Sequence, residues 1–133
     1  NTRKLRTSRR FSRGTTRKGG AMKLITAVIQ PNQAGPVREA IEALGLGGAT
    51  VTAVSGVGRQ KGLSEHYRGA DYTPHMVPKT KVEVVVNDEV VEGALEAIVA
   101  AARTGAIGDG KVWVSPIEEV VRVRTGERGA EAV

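Results

Sequence analysis

Two glycine-rich stretches hold the residues of this chain best suited to chemistry. Gly56-Val57-Gly58-Arg59-Gln60-Lys61-Gly62 follows a β-like run. Its glycines let the backbone approach a ligand, and successive N–H groups in such a turn form an anion-binding nest. Arg59 and Lys61 add charge suited to phosphate. No Gly-Lys-Ser/Thr follows, so this is not a Walker A loop, and no helix follows, so it is not a dinucleotide fingerprint. A plain tight turn stays open as the alternative. The second stretch, GAIGDGK at 105–111, leads into a strand. Asp109 between two glycines could take a ribose hydroxyl or a cation's water, and Lys111 could reach phosphate. Arg122 and Arg124 lie two apart on an expected strand and would share a face. Paired guanidiniums there need an anion or carboxylates between them; ion pairs with Glu118 or Glu119 are the alternative. Together the two turns and the Arg pair suggest a bound polyanion such as a nucleoside triphosphate.

No catalytic set emerges. His66 and His75 fall in a polar loop without the spacing of a triad or a metal site. Ser64 lacks a nucleophile-elbow context. A regulatory or binding protein is expected rather than an enzyme, with slow ATP hydrolysis open as an alternative.

The elements that would position these residues follow from periodicity. MKLITAVIQ (22–30) alternates and is β-branched, a strand ended by Pro31 and Asn32. Pro36 opens a helix with Val37, Ala40, Ile41 and Leu44 on one face, stopped by Gly45. Residues 49–58 form a second strand. The twenty residues 59–78 keep no period and hold Gly62, Gly69, Pro74 and Pro78. A loop that long is usually functional or disordered. KTKVEVVVN (79–87) is a strand, Asp88 an N-cap, and Val91, Leu95, Ile98 and Ala102 the buried face of a second helix. Residues 111–116 form a strand, IEEV (117–120) a helical turn, VVRVRTG (120–126) a last strand, and RGAEAV a frayed end. The order β-α-β, long loop, β-α-β is the α+β, ferredoxin-like split βαβ plan. Val82, Val84 and Val86 alternate with Glu83 and Val85. Both faces of that strand carry apolar residues, so both need cover. One face goes to the helices, and the other implies sheet-to-sheet packing in a closed oligomer.

Composition sets the limits. The 133 residues suit one domain with a modest core, and aromatics at 3% leave that core to Val, Ile, Leu and Ala. There is no Cys, which rules out disulfides, thiolate metal sites and Cys nucleophiles. The net charge of +6 misleads as an average. Residues 1–21 carry eight Arg and Lys with no acid, while the remaining 112 carry 12 basic and 14 acidic side chains, a net −2. The domain at 22–133 therefore offers no basic face for nucleic acid. The segment 1–21 reads as a disordered basic extension ahead of an initiator Met22: a tag, start-site or targeting remnant, with a nucleic-acid or anionic-membrane arm as alternatives.

Several motifs at matching separations resemble the PII family of nitrogen regulatory proteins. They are Gly58-Arg59-Gln60-Lys61-Gly62, Tyr67-Arg68-Gly69-Ala70-Asp71-Tyr72, the run Thr104 to Val114, and Val121-Arg122-Val123-Arg124-Thr125-Gly126-Glu127. The resemblance runs from Met22 to about Ala130 without gaps. It implies a homotrimer of ferredoxin-like subunits that senses ATP or ADP and 2-oxoglutarate and signals through the loop. Implied nucleotide positions are Thr50, Gly56, Gly58, Arg59, Gln60, Lys61, Gly62, Glu83, Gly108, Asp109, Gly110, Lys111, Arg122 and Arg124. Implied 2-oxoglutarate positions are Gln60, Lys61, Gly62 and Lys79, with Mg²⁺ on Gln60 bridging the two ligands. Tyr72 matches a tyrosine modified by nucleotidyltransferases in some relatives, and Ala70 stands where others carry a phosphorylated serine. Implied partners are ammonium transporters, nitrogen-assimilation enzymes and the nucleotidyltransferases. The implied setting is cytoplasmic, with recruitment to the membrane by a transporter. Three departures stand out: Asp71 for the usual Glu or Ala, Val57 for an aromatic, and Gln30-Pro31-Asn32-Gln33 for a more basic, aromatic stretch near the loop base.

Overall fold

The computed structural model describes residues 21–58 and 75–133. Four strands and two helices follow in the order β1 (Met22–Ile29), α1 (Ala34–Ala43), β2 (Thr50–Gly58), β3 (His75–Asn87), α2 (Val91–Ala102) and β4 (Gly110–Ile117). The strands form one antiparallel sheet in the order β2-β3-β1-β4, so the second βα half is interleaved with the first. This is the expected ferredoxin-like α+β plan.

Strand alternation divides the sheet into two faces. Ile25, Ala27 and Ile29 of β1 and Val82, Val84 and Val86 of β3 turn toward the helices and are buried. Val37 and Ile41 of α1 and Ala94, Ile98 and Ala102 of α2 close on them. Each fully buried Ile or Val here is worth about 1.5–3 kcal/mol in transfer free energy. Leu44, expected on the helix face, falls one residue past α1 at its C-cap and stays 43% exposed. Val91 and Leu95 only flank the core, because α2 is alanine-rich and turns Ala94 inward.

The other face carries Leu24, Thr26 and Val28 of β1, Lys79, Lys81, Glu83 and Val85 of β3, Lys111, Trp113 and Ser115 of β4, and Thr50 and Thr52 of β2. The register sets these residues side by side: Thr50 opposite Glu83, Glu83 opposite Thr26, and Thr26 opposite Trp113. The next rung runs Thr52, Lys81, Val28, Lys111.

Several boundaries differ from the expectation. Pro31 does not simply end β1: a 3₁₀ turn at Pro31–Gln33 leads directly into α1, which begins at Ala34 rather than Pro36. Proline is tolerated in a first helical turn because its missing N–H has no intrahelical partner there. Asp88 does not cap α2. It starts a 3₁₀ turn, Asp88–Val90, and its carboxylate instead takes Lys23 Nζ at 2.8 Å. The loop expected at 59–78 is shorter at its end, because β3 starts at His75, pairing Gly58 with His75 and Ser55 with Pro78. β1 pairs with β3 only from Thr80 onward, so one flank of the strand is free at Pro78, where a missing donor is tolerated. The remainder of that loop, 59–74, and residues 1–20 of the basic extension lie outside the described residues. Ala21, placed with the extension, belongs to the fold, since its carbonyl accepts Asp88 N–H at 3.0 Å.

The C-terminal segment departs most. Residues 117–120 are not a helical turn, because Ile117 still pairs with Met22 at the end of β4. Residues 120–126 are not a strand. Among the described residues no strand lies beside them, and their backbone groups close on themselves in a hairpin. Arg122 N–H meets Glu127 O at 2.9 Å, Gly126 N–H meets Arg122 O at 2.8 Å, and a lone bridge joins Val121 to Arg128. The expected frayed end is a 3₁₀ turn, Gly129–Ala132, anchored by Gly129 N–H on Val120 O and by Asn87 Nδ2 on Ala130 O. Ala132 and Val133 then border one hollow together with Leu24 and Val85 of the open face.

Candidate functional site: the glycine turn and the base of β3

Residues 104–110 connect α2 to β4, and their shape follows from two residues. One Asp109 carboxylate oxygen accepts the N–H groups of Thr104 at 2.7 Å and Gly105 at 2.9 Å. The other accepts the Thr104 hydroxyl at 2.5 Å. The Thr104 hydroxyl oxygen accepts Ala106 N–H at 3.3 Å, and Asp109 N–H reaches Ala106 O at 3.3 Å. Hydrogen bonds to the ionised form, foremost from the Thr104 side chain, hold the Asp109 carboxyl below its usual range against a smaller opposing effect of burial. The carboxylate that suggested a ribose or cation contact is thus engaged inside the turn.

Gly108 and Gly110 need to be glycine for different reasons. Both adopt positive φ, 98° and 105°. A side chain on Gly110 would place its Cβ 1.9 Å from the Val28 carbonyl oxygen, so the turn is seated against β1. A Cβ on Gly108 would lie 3.2 Å from Gln30 Nε2 and 3.7 Å from Lys79 Nζ. Lys79 Nζ itself donates to the Gly108 carbonyl at 2.6 Å. The base of β3, the end of β1 and the glycine turn therefore meet at one point, and Gln30 of the altered 30–33 stretch is part of it.

The other expected residues are distributed more widely. Thr50 and Glu83 face each other across β2 and β3, and Thr26 Oγ1 donates to Glu83 Oε2 at 3.3 Å. They line a cavity of about 330 Å³ with Gly47, Gly48, Leu24 and Val133. Glu83 is four strand residues from Lys79, about 13 Å along β3. Lys111 lies on the open face opposite Val28. Gly56 and Gly58 sit at the end of β2, where a Cβ on Gly56 would lie 3.5 Å from the Lys79 stem. Arg122 and Arg124 do not share a strand face. Arg122 is bound to Glu127 at 2.9 Å, and Arg128, not the Arg pair, takes Glu119 at 2.8 Å. Arg59, Gln60, Lys61, Gly62 and Tyr72 lie outside the described residues. Among the described residues no acidic or histidine cluster could hold a metal ion.

Two contributors escaped the sequence reading. Thr104 carries the turn, and a Thr ahead of an Asp in a glycine-rich segment is the one available signal, since both side chains cap local backbone. Ile107 at the turn's tip is fully exposed, as is Val123 (98%) between the two arginines. A separate hollow of about 170 Å³, walled by Ile29, Ile98, Val99 and Ala102, lies on the helix side of the turn.

Known proteins match this arrangement. A family model described as nitrogen regulatory protein P-II matches residues 22–127. The nitrogen regulatory protein P-II of Mesorhizobium japonicum is 58% identical over 112 residues, 84% of this chain and all of that protein. A solved B. subtilis GlnK–ATP complex superposes with a TM-score of 0.75 at 28% identity, covering 89% of this chain and 100% of the other. Arabidopsis thaliana PII bound to citrate superposes with a TM-score of 0.69 at 36% identity, covering 86% and 94%. The relatives are named as regulators rather than as enzymes. The chain, with its interleaved βαβ halves and its Lys79-bound glycine turn, belongs to the nitrogen regulatory protein P-II family.

Proposed function

We propose that this protein is a homotrimeric metabolite sensor that binds ATP or ADP and, with Mg²⁺, 2-oxoglutarate, and that controls proteins of nitrogen assimilation through residues 59–74. The observation that carries the reading is the Lys79–Gly108 contact, which joins the base of the long segment to the second glycine turn. An ammonium and a backbone-lined turn within one bond of each other suit an anion with two charged ends.

The residues present fit a nucleotide. Gly108 to Lys111 offer backbone and one cation for phosphate, and Arg122 and Arg124 offer two more. Thr50 and Glu83 border a cavity roomy enough for part of a ligand. In one chain these groups stand at separate places on the open face and the C-terminal hairpin. A neighbouring subunit packed on that face would supply the missing side of each site, which favours nucleotide clefts between subunits. Arg59, Lys61 and Gly62 complete the phosphate side. Gln60 would hold Mg²⁺, a hard cation suited to oxygen ligands that would offset the charge of the bound anions. Lys79 would meet the distal carboxylate and the N–H groups of 60–62 the proximal end.

The two nucleotides would favour different arrangements of the loop, and targets would select one. Ammonium transporters, assimilation enzymes and nucleotidyltransferases acting on Tyr72 are the proposed partners. The protein works in the cytoplasm and meets the membrane through a transporter; no described helix is long and apolar enough to cross it.

Titration calorimetry on the full chain tests the reading. ATP should bind, and 2-oxoglutarate should tighten it only when Mg²⁺ is present. ATP binding without that synergy removes the 2-oxoglutarate part, and no ATP binding removes the whole.

A further inference from the structure

We propose that Thr104 and Asp109 are positioning residues of this site: they set the glycine turn so that the Gly108 carbonyl holds Lys79, and an oxyanion ligand binds by taking Lys79 from that carbonyl. The ligand half rests on the functional reading above; the positioning half does not.

The wiring leaves the Gly108 carbonyl little freedom. On one side, Asp109 grips Thr104 and Gly105 through three hydrogen bonds, and the Thr104 hydroxyl passes the restraint on to Ala106. On the other side, Gly110 rests against the Val28 carbonyl with no room for a methyl group. Gln30 Nε2 closes a third side. The carbonyl pinned between them accepts the Lys79 ammonium at 2.6 Å. Each Asp109 carboxylate oxygen and the Thr104 hydroxyl is tied into this net, which couples both residues to the backbone that carries Gly108.

A backbone carbonyl is a neutral acceptor. A carboxylate or phosphate oxygen on the same ammonium adds the attraction of an opposite formal charge. The bond to Gly108 is therefore strong enough to orient Lys79 and weak enough to be exchanged. A rigid turn makes the exchange matter, because a loose one would follow the ammonium and absorb the difference.

Lysine acylation of the ligand-free full chain, read by mass spectrometry, measures the positioning half. Lys111, exposed on the same sheet face, is the internal reference. Thr104→Val and Asp109→Asn should each speed Lys79 acylation about tenfold relative to Lys111, the scale of one lost hydrogen bond to a charged group. Thr104→Ser, which keeps the hydroxyl, should stay at the wild-type rate. Asp109→Asn is nearly isosteric and carries the test if Thr104→Val does not fold. Unchanged Lys79 acylation in the variants that fold would overturn the proposal. Calorimetry with ATP, Mg²⁺ and 2-oxoglutarate measures the ligand half. Binding should weaken about tenfold in Thr104→Val and Asp109→Asn and recover in Thr104→Ser. If the wild-type chain binds none of these while Lys79 still responds to Thr104, the positioning half stands and the ligand half falls with the functional reading. If ligands bind all four proteins equally, the ligand half is wrong although the functional reading holds.

Discussion

Lys79 Nζ and the Gly108 carbonyl oxygen lie 2.6 Å apart, although 29 residues of chain separate them. Lys79 lies opposite Val54 of β2, one residue before β3 begins to pair with β1, and Gly108 belongs to the turn that launches β4. Since β3 and β4 flank β1 on either side, the contact spans three strands at one end of the sheet. Anything that draws on the ammonium is felt at the turn, and the reverse holds equally.

The turn depends on Gly110 far more than on Gly105. Gly110→Ala forces a Cβ into the Val28 carbonyl at a positive φ, whereas Gly105→Ala meets only the backbone penalty, because nothing lies within 4 Å. Chemical denaturation should show a loss of about 3 kcal/mol or more for Gly110→Ala and about 1 kcal/mol for Gly105→Ala. Equal losses would mean that the turn does not seat on β1 as described.

Core and rim isoleucines should separate cleanly. Ile98 is 1% exposed and Ile107 fully exposed. Ile98→Ala should cost about 2–5 kcal/mol, and Ile107→Ala should stay within about 0.5 kcal/mol in the same denaturation series. A stability loss at Ile107 would place it in an interface that one chain does not contain.

Asp109 sets a pH window. Its carboxyl is held below the ordinary value of 3.8, so its contribution to stability is fully present above that value and fades as pH falls through the lowered one. The cationic residues nearby are Lys79, bound to the adjacent Gly108, and Arg103 and Lys111, which line the hollow beside Asp109. Carboxyl-carbon NMR titration should find Asp109 still ionised at pH 3.8 in the wild-type chain. In Thr104→Val, which lacks the largest of the lowering hydrogen bonds, the midpoint should move up toward the ordinary value. A midpoint indifferent to Thr104 would contradict the clasp.

Arg122 is held by Glu127 at 2.9 Å in a pair whose side chains are both more than two-fifths exposed. Such pairs add about 0–1 kcal/mol to stability. Glu127→Gln should therefore leave the melting temperature nearly unchanged. It should tighten ATP binding up to about fivefold, because Arg122 no longer has to leave a carboxylate. Weaker binding would show that Glu127 orients Arg122 instead of competing for it.

The plan of the fold was readable because period and burial agree in β1, α1 and β3. Val37 and Ile41, or Val82, Val84 and Val86, announce a buried face by spacing alone. The reading failed where period lacked a partner. Residues 120–126 alternate Val with Arg as a strand does, yet no strand among the described residues lies beside them, and the backbone closes into a hairpin around Arg122 and Glu127. α2 is apolar on nearly every side, which hid Ala94 behind the larger Val91 and Leu95. At the site, residue types pointed to Asp109 and the family resemblance to Lys79, but neither gave their wiring. Which acceptor Asp109 or Lys79 meets depends on backbone direction in the turn and on strand order, and neither leaves a mark in local sequence.

Trp113 gives the open sheet face an optical consequence. It is the sole tryptophan of the chain, stands opposite Thr26 on that face, and remains 45% exposed. Its indole is three residues from Gly110 and one rung from the pairing of Val28 with Lys111. Subunit packing on that face, or a ligand settling beside the glycine turn, changes the polarity around one chromophore with no background from others. The protein thus carries its own fluorescent gauge of assembly and occupancy, readable at 295 nm excitation without a label.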